Sequence, residues 1–295
     1  MKGRTFYIVD VFAEERYEGN QLAVFRETRG LSDSDMQKYA NETHFSETTF
    51  IDSDEERDGG FDVRIFTPQK EVPFAGHPTL GTAFIIQREI IKRPVESVVL
   101  NLRIGKIPVT FEKGHNGEEV LWMKQKSPTF GKTIEPERIA QVLNIETNGI
   151  DTQFPIQEVS TGLPFIIVPL KNLKDVARIS IQEDYLFPLV EKLDGKAILV
   201  FTRETIHPHN DLHVRVFAHY YGVGEDPATG SGNGCLAAYL TKTKYLGKDH
   251  IDIRVEQGYE IGRPSLLSLK TSTDHDTINV SVGGKVVMVA QGTFL

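Results

Sequence analysis

Three stretches of this 295-residue chain carry side chains able to move a proton or grip an anion: NETHFSETTFI (41–51), EVPFAGHPTLG (71–81) and GEDPATGSGNGC (224–235). In the first, Glu47 stands just ahead of or inside a β-branched run, where a carboxylate gains nothing from packing and is disfavoured by strand propensity. Such a mismatch marks either an exposed edge carboxylate or a functional one. In the second, Pro78 suits the first turn of a helix, because the N–H it lacks would be unpaired there anyway, so Gly76 and His77 fall at the capping end. His77 is either a cap or core histidine or, next to a carboxylate, one partner in a proton network. In the third, Asp226 is either a helix cap or a member of that network, and a second helix is expected to begin among Ser231 to Gly234.

Gly230, Gly232 and Gly234 alternate, which matches neither the phosphate loop, with its Lys-Ser/Thr pair, nor the dinucleotide pattern Gly-x-Gly-x-x-Gly. A nucleotide is therefore not expected. A tight turn is one reading of these glycines. The other is an anion grip, since free N–H groups and the positive end of a helix attract negative charge and glycine lets it approach. A substrate carboxylate meets both conditions. HPHNDLH, with His207, His209, Asp211 and His213, has no zinc-site spacing, and His213 lies in a strand while the other two histidines flank Pro208, so no metal site is expected.

The elements that position these residues come in two copies. FDVRIFTPQKEVPFAGHPTLGTAF (61–84) aligns with LHVRVFAHYYGVGEDPATGSGNGCLAAYL (212–240) once three residues are inserted in the second loop. Val63 then matches Val214, Phe66 matches Phe217, and Gly76-His77 match Gly230-Ser231. Each copy reads strand, loop, helix. TLGTAFII and CLAAYL are apolar or small on nearly every side, the pattern of a helix surrounded by protein. About a dozen short strand-like runs surround them, most of them antiparallel candidates. Ser32 and Asp35 have capping-box spacing ahead of one further helix, and Pro136 starts another. The segments near 113–119 and 126–136 are the expected crossing points between the halves.

Composition narrows the classes. Apolar residues make up 39% and charged residues 25%, with a formal charge of −8, so nucleic acid is not an expected partner. The single cysteine, Cys235, excludes an internal disulfide and multi-thiolate zinc clusters, and fits a reducing compartment. No apolar run approaches a membrane span and no signal-peptide core is evident, so a cytoplasmic protein without membrane attachment is expected.

VDVFAEERYEGNQLAVF (9–25), SETTF (46–50), EVPFAGHPTLG, GEDPATGSGNG and EQGYEIGRPS (256–265), in that order, resemble the marks of the phenazine-biosynthesis PhzF-like family, and the closing GGKVVMVAQGTF also suits it. The resemblance implies an α+β protein of the diaminopimelate epimerase-like fold. It would have two pseudo-symmetric domains, each a strongly curved, mostly antiparallel sheet or barrel around a central helix, with the active cleft between them. The implied domains are 1–117 plus 284–295, and 118–283.

The resemblance further implies an isomerase that moves a proton between carbons of a small cyclic or amino-substituted carboxylic acid, with no metal or organic cofactor. Glu47 would be the acid/base, its basicity raised by burial. His77, Asp226 and Ser231 would assist it, and Asn20, Gly76, Thr229, Gly230, Gln257 and Gly258 would line the substrate site. A homodimer is implied as well. Racemases of the same fold use two cysteines as base and acid. Ala75 and Thr229 stand at those places here, so that chemistry is excluded and Cys235 reads as a core residue. A protein that keeps the anion site without turnover is the alternative of a different class.

Overall fold

The computed structural model describes residues 3–114, 117–275 and 277–295, so within the 113–119 segment His115 and Asn116 lie outside the described residues. The chain divides into two compact units, Met1–Met123 with Gly283–Leu295, and Lys124–Val282.

In the first unit, β1 (Arg4–Val11) and β2 (Asn20–Phe25) form an antiparallel pair. α1 (Asp33–Thr43) then carries the chain across to β3 (Thr48–Ile51), which lies parallel to β2. A parallel neighbour requires such a crossover, because no tight turn can make one. Ser32 caps α1 as its spacing predicts: its hydroxyl accepts from the Asp35 N–H at 3.1 Å and donates to Asp35 Oδ2 at 2.8 Å. β4 (Phe61–Phe66) and β5 (Glu71–Val72) extend the sheet antiparallel.

The buried helix α2 (Gly76–Ile85) makes the second crossover, to β6 (Ser97–Leu102), which is parallel to β4. Every residue of α2 from His77 onward is buried, and the helix packs against β1, β2, β3 and β6. At Gly81 a side-chain carbon would collide with Leu22, Val11 and Val9, so glycine lets the helix sit directly on those two strands. β7 (Gly105–Lys113) and β8 (Glu119–Lys124) follow as hairpins.

The second unit repeats this order. β9 (Thr129–Thr133) and β11 (Pro164–Pro169) flank β10 (Gln157–Ser160) antiparallel, with α3 (Pro136–Leu143) between β9 and β10 in the chain. α4 (Leu173–Ala177) and α5 (Glu183–Val190) cross to β12 (Ala197–Thr202), parallel to β11. β13 (Leu212–Ala218) and β14 (Val223–Asp226) add on antiparallel. The buried helix α6 (Gly230–Thr243) then crosses to β15 (Asp252–Gln257), parallel to β13. α6 begins at Gly230, one residue ahead of the expected range, because Thr229 is its N-cap.

β16 (Ser265–Asp274) pairs with β15, β17 (Thr277–Gly284) follows, and the last strand, β18 (Val286–Phe294), belongs to the first unit, where it pairs antiparallel with β1. The chain is thus α+β with a mixed set of strands, and among the described residues six α-helices.

The repeated hairpins share one internal clamp. Arg64 on β4 meets both carboxylate oxygens of Glu71 at 2.9 and 2.6 Å, and its guanidinium lies 5.1 Å from the Phe66 ring. Arg215 on β13 meets both oxygens of Glu225 at 2.9 and 2.7 Å, and lies 4.8 Å from the Phe217 ring. Each arginine also ties its hairpin to a crossover helix: Arg64 donates to Asp33 in the first turn of α1, and Arg215 to the Val176 carbonyl of α4.

Candidate active site

Glu47 directly precedes β3, and its position is set by what holds that strand. The Thr48 hydroxyl is 2.8 Å from the Thr43 hydroxyl at the end of α1. The Thr49 hydroxyl lies 2.8 Å from that of Thr82 on α2, and Thr82 donates to the Pro78 carbonyl at 2.7 Å. Both threonines of SETTF are fully buried, so they serve as polar fasteners between the strand and its two neighbouring helices. The Glu47 side chain is 20% exposed, and its Oε2 is closed off from solvent.

His77, the second residue of α2, is 6% exposed, and its Nε2 lies 3.4 Å from Glu47 Oε2. Burial pushes the imidazole down to about 3, against the opposing pull of a hydrogen bond to the Gln21 backbone. The ring is therefore neutral at pH 7, and the 3.4 Å contact is not an ion pair there. His77 Nε2 makes no hydrogen bond among the described residues. A neutral imidazole beside a carboxyl group can accept, hold and return a proton. Ala75, the N-cap of α2, has no side chain to occupy the first amides of the helix, and Gly76 opens its first turn. Asn20 is buried at the start of β2.

In the second unit, Asp226 closes β14 opposite Val216, and its carboxylate accepts from the Thr229 hydroxyl. That hydroxyl is consequently turned away from α6, which has no side-chain cap. Gly230 and Ser231 form the first turn, and Ser231 is the one residue between Gly230 and Thr241 that is not buried. Gln257 ends β15 fully buried, with its carboxamide bonded to Asp226, Thr229 and Asn233. Gly258 follows with φ of +80°, and a side chain there would run into the carbonyl oxygens of Arg263 and Pro227. Only glycine fits that close approach.

The histidine cluster resolves differently. His213 has both ring nitrogens engaged by carboxylates, Nδ1 with Glu256 Oε1 and Nε2 with Glu260 Oε1, each at 2.9 Å. Burial alone would lower its pKa, but these two bonds outweigh it and raise the ring to about 9, so His213 is a buried cation. His207 reaches the same Glu256 only through its backbone N–H.

Sequence reasoning missed Gln257's bonds to the Asp226–Asn233 loop, the threonine fasteners and both Arg–Glu clamps. The clamps were within reach, since the alignment of Val63 with Val214 places Arg64 opposite Arg215.

A carboxylate beside a neutral imidazole at the start of a buried helix is an arrangement that can exchange a proton. Phenazine biosynthesis-like protein is the family that matches residues 9–292, and the chain belongs to this PhzF family. An uncharacterised isomerase of Clostridium acetobutylicum is 31% identical over 96% of this chain and 95% of its own length. The trans-2,3-dihydro-3-hydroxyanthranilate isomerase of Pseudomonas aeruginosa is also 31% identical, over 97% of this chain and 98% of its own. Among solved structures, a PhzF-family phenazine biosynthesis protein of Bacillus anthracis superposes with a TM-score of 0.92 at 27% identity, with all of both chains covered.

Proposed function

We propose that this protein is an isomerase that moves a proton between carbons of a small cyclic or amino-substituted carboxylic acid, with Glu47 as the acid/base. The observation that carries the reading is the 3.4 Å approach of Glu47 Oε2 to the buried, neutral His77. Glu47 takes a proton from a carbon next to an unsaturated system, the resulting charge spreads over that system, and Glu47 delivers a proton to a different carbon after its carboxyl has exchanged with solvent in part of the turnovers. Composition and oxidation state are unchanged, so no second reactant is consumed. Holding the carboxyl in one place directs the returning proton to a chosen carbon. His77, Asp226 and Ser231 assist, and Asn20, Gly76, Thr229, Gly230 and Gly258 line the site. A helix start whose amides no side chain caps, as at α2 and likewise at α6, suits a carboxylate.

The names of the curated relatives support the reaction class. Deuterium uptake from D2O tests it, beginning with trans-2,3-dihydro-3-hydroxyanthranilate and continuing through cyclic and amino-substituted acids. At least one acid is expected to gain deuterium at carbon. Glu47→Gln is expected to slow the exchange by about 10²- to 10⁴-fold while binding persists. Binding without exchange for every acid tried would instead indicate a non-catalytic anion-binding protein.

A further inference from the structure

We propose that Gln257 is a positioning residue, one that fixes Asp226 and the start of α6 through a carboxamide with no capacity left for a ligand. Its Nε2 donates to the Asp226 carbonyl at 2.7 Å and to the Thr229 hydroxyl at 3.1 Å. Its Oε1 accepts from the Thr229 N–H at 3.3 Å and from Asn233 Nδ2 at 2.8 Å. A carboxamide has two donor hydrogens and two acceptor lone pairs, and all four are used. The orientation has no alternative, because a flipped amide would set Oε1 against the Asp226 carbonyl.

The consequence runs along a polarised chain. With the Thr229 hydroxyl accepting from Gln257, its own hydrogen is directed at the Asp226 carboxylate. A threonine at an N-cap ordinarily accepts from the N–H two or three residues on. Here Gln257 draws that hydroxyl away, so one buried amide both orients the acid and leaves the first turn of α6 without a side-chain cap. Asn233 closes the loop by donating to the Thr229 carbonyl at 3.1 Å. The catalytic part of this inference rests on the reading of Asp226 as an assisting group; the geometric part does not.

The test uses the full chain and Gln257→Met, which keeps the side chain's length and loses its hydrogen bonds. Amide exchange followed by NMR is expected to quicken by about tenfold or more at Thr229 and Asn233, while Leu199 and Val200 in β12 keep their protection. The carboxyl 13C titration of Asp226 is expected to move to higher pH as the directed hydroxyl is lost. On an acid that the wild-type protein exchanges, kcat is expected to fall about tenfold to a hundredfold with KM little changed.

Unchanged protection at Thr229 and Asn233 together with an unchanged Asp226 titration would overturn the proposal. Loss of protection spread evenly over the second unit would also overturn it, by showing a general structural role. If the wild-type protein exchanges no acid, the enzyme reading fails, and the two NMR measurements still decide the positioning role. Should Gln257→Met not fold, Gln257→Glu supplies the donor only when protonated. Recovery of protection at Thr229 and Asn233 on acidification is then expected, and indifference to pH would overturn the proposal.

Discussion

His77 and His213 are both buried, and they couple folding to pH with opposite signs. The His77 ring falls to about 3 in the folded protein, below an ordinary histidine near 6.5, so the unfolded chain binds the proton more readily. Stability from this group is complete above about 6.5 and declines as the pH falls toward 3. Urea midpoints measured from pH 7 down to 4 should therefore fall more steeply for the wild type than for His77→Gln. His213 is raised to about 9, so its contribution is complete below about 6.5 and is lost as the pH climbs through 9. The charges around it are Glu256 on β15, Glu260 in the turn that follows, and Arg215 two residues along β13, whose Nε is 4.0 Å from Glu260. His213→Gln should flatten the alkaline decline and cost about 3–5 kcal/mol at neutral pH, since the buried Glu256 and the partly buried Glu260 lose their cation. Glu47 stood out in the sequence because it breaks a strand pattern. His213 did not reveal its role, because its carboxylate partners lie more than forty residues away in the chain.

At the level of elements, the two Arg–Glu clamps offer a comparison within one protein. The Arg215 and Glu225 side chains are 8% and 10% exposed, whereas those of Arg64 and Glu71 are 28% and 12% exposed. Removing a charge from a buried pair strands its partner, while a partly solvated pair is largely compensated by water. Arg215→Met should thus cost about 3–5 kcal/mol, and Arg64→Met about 1 kcal/mol, by denaturant unfolding. Local chemistry made some elements legible: Ser32 with Asp35 marked α1, Pro136 marked α3, and the small-residue runs marked α2 and α6. α5 was hidden by Pro188 in its interior, and α4 by its length of five residues. The parallel pairs could not be read at all, because a strand's periodicity does not say whether its neighbour arrives through a turn or a crossover.

For the molecule as a whole, the repeated order frames two chemically different copies. Thr48 faces Phe66 on β4 as Ile198 faces Phe217 on β13, so Ala197 holds the place of Glu47 in the second unit. Val72 faces Ile65 as Asp226 faces Val216, so valine holds the place of Asp226 in the first. Each unit therefore carries one acid that the other lacks, and it is strand register that aligns Ala197 with Glu47. The family resemblance also leads us to propose a homodimer, for which light scattering should return about twice the chain mass of 33.1 kDa. Finally, Cys235 is fully buried in α6, and its thiol is pushed up to about 11, chiefly by that burial. As the chain's sole sulfhydryl, it is a built-in clock for the second unit. An alkylating reagent can mark it only during moments of opening, so the labelling rate reports how often α6 is laid bare, with no added probe.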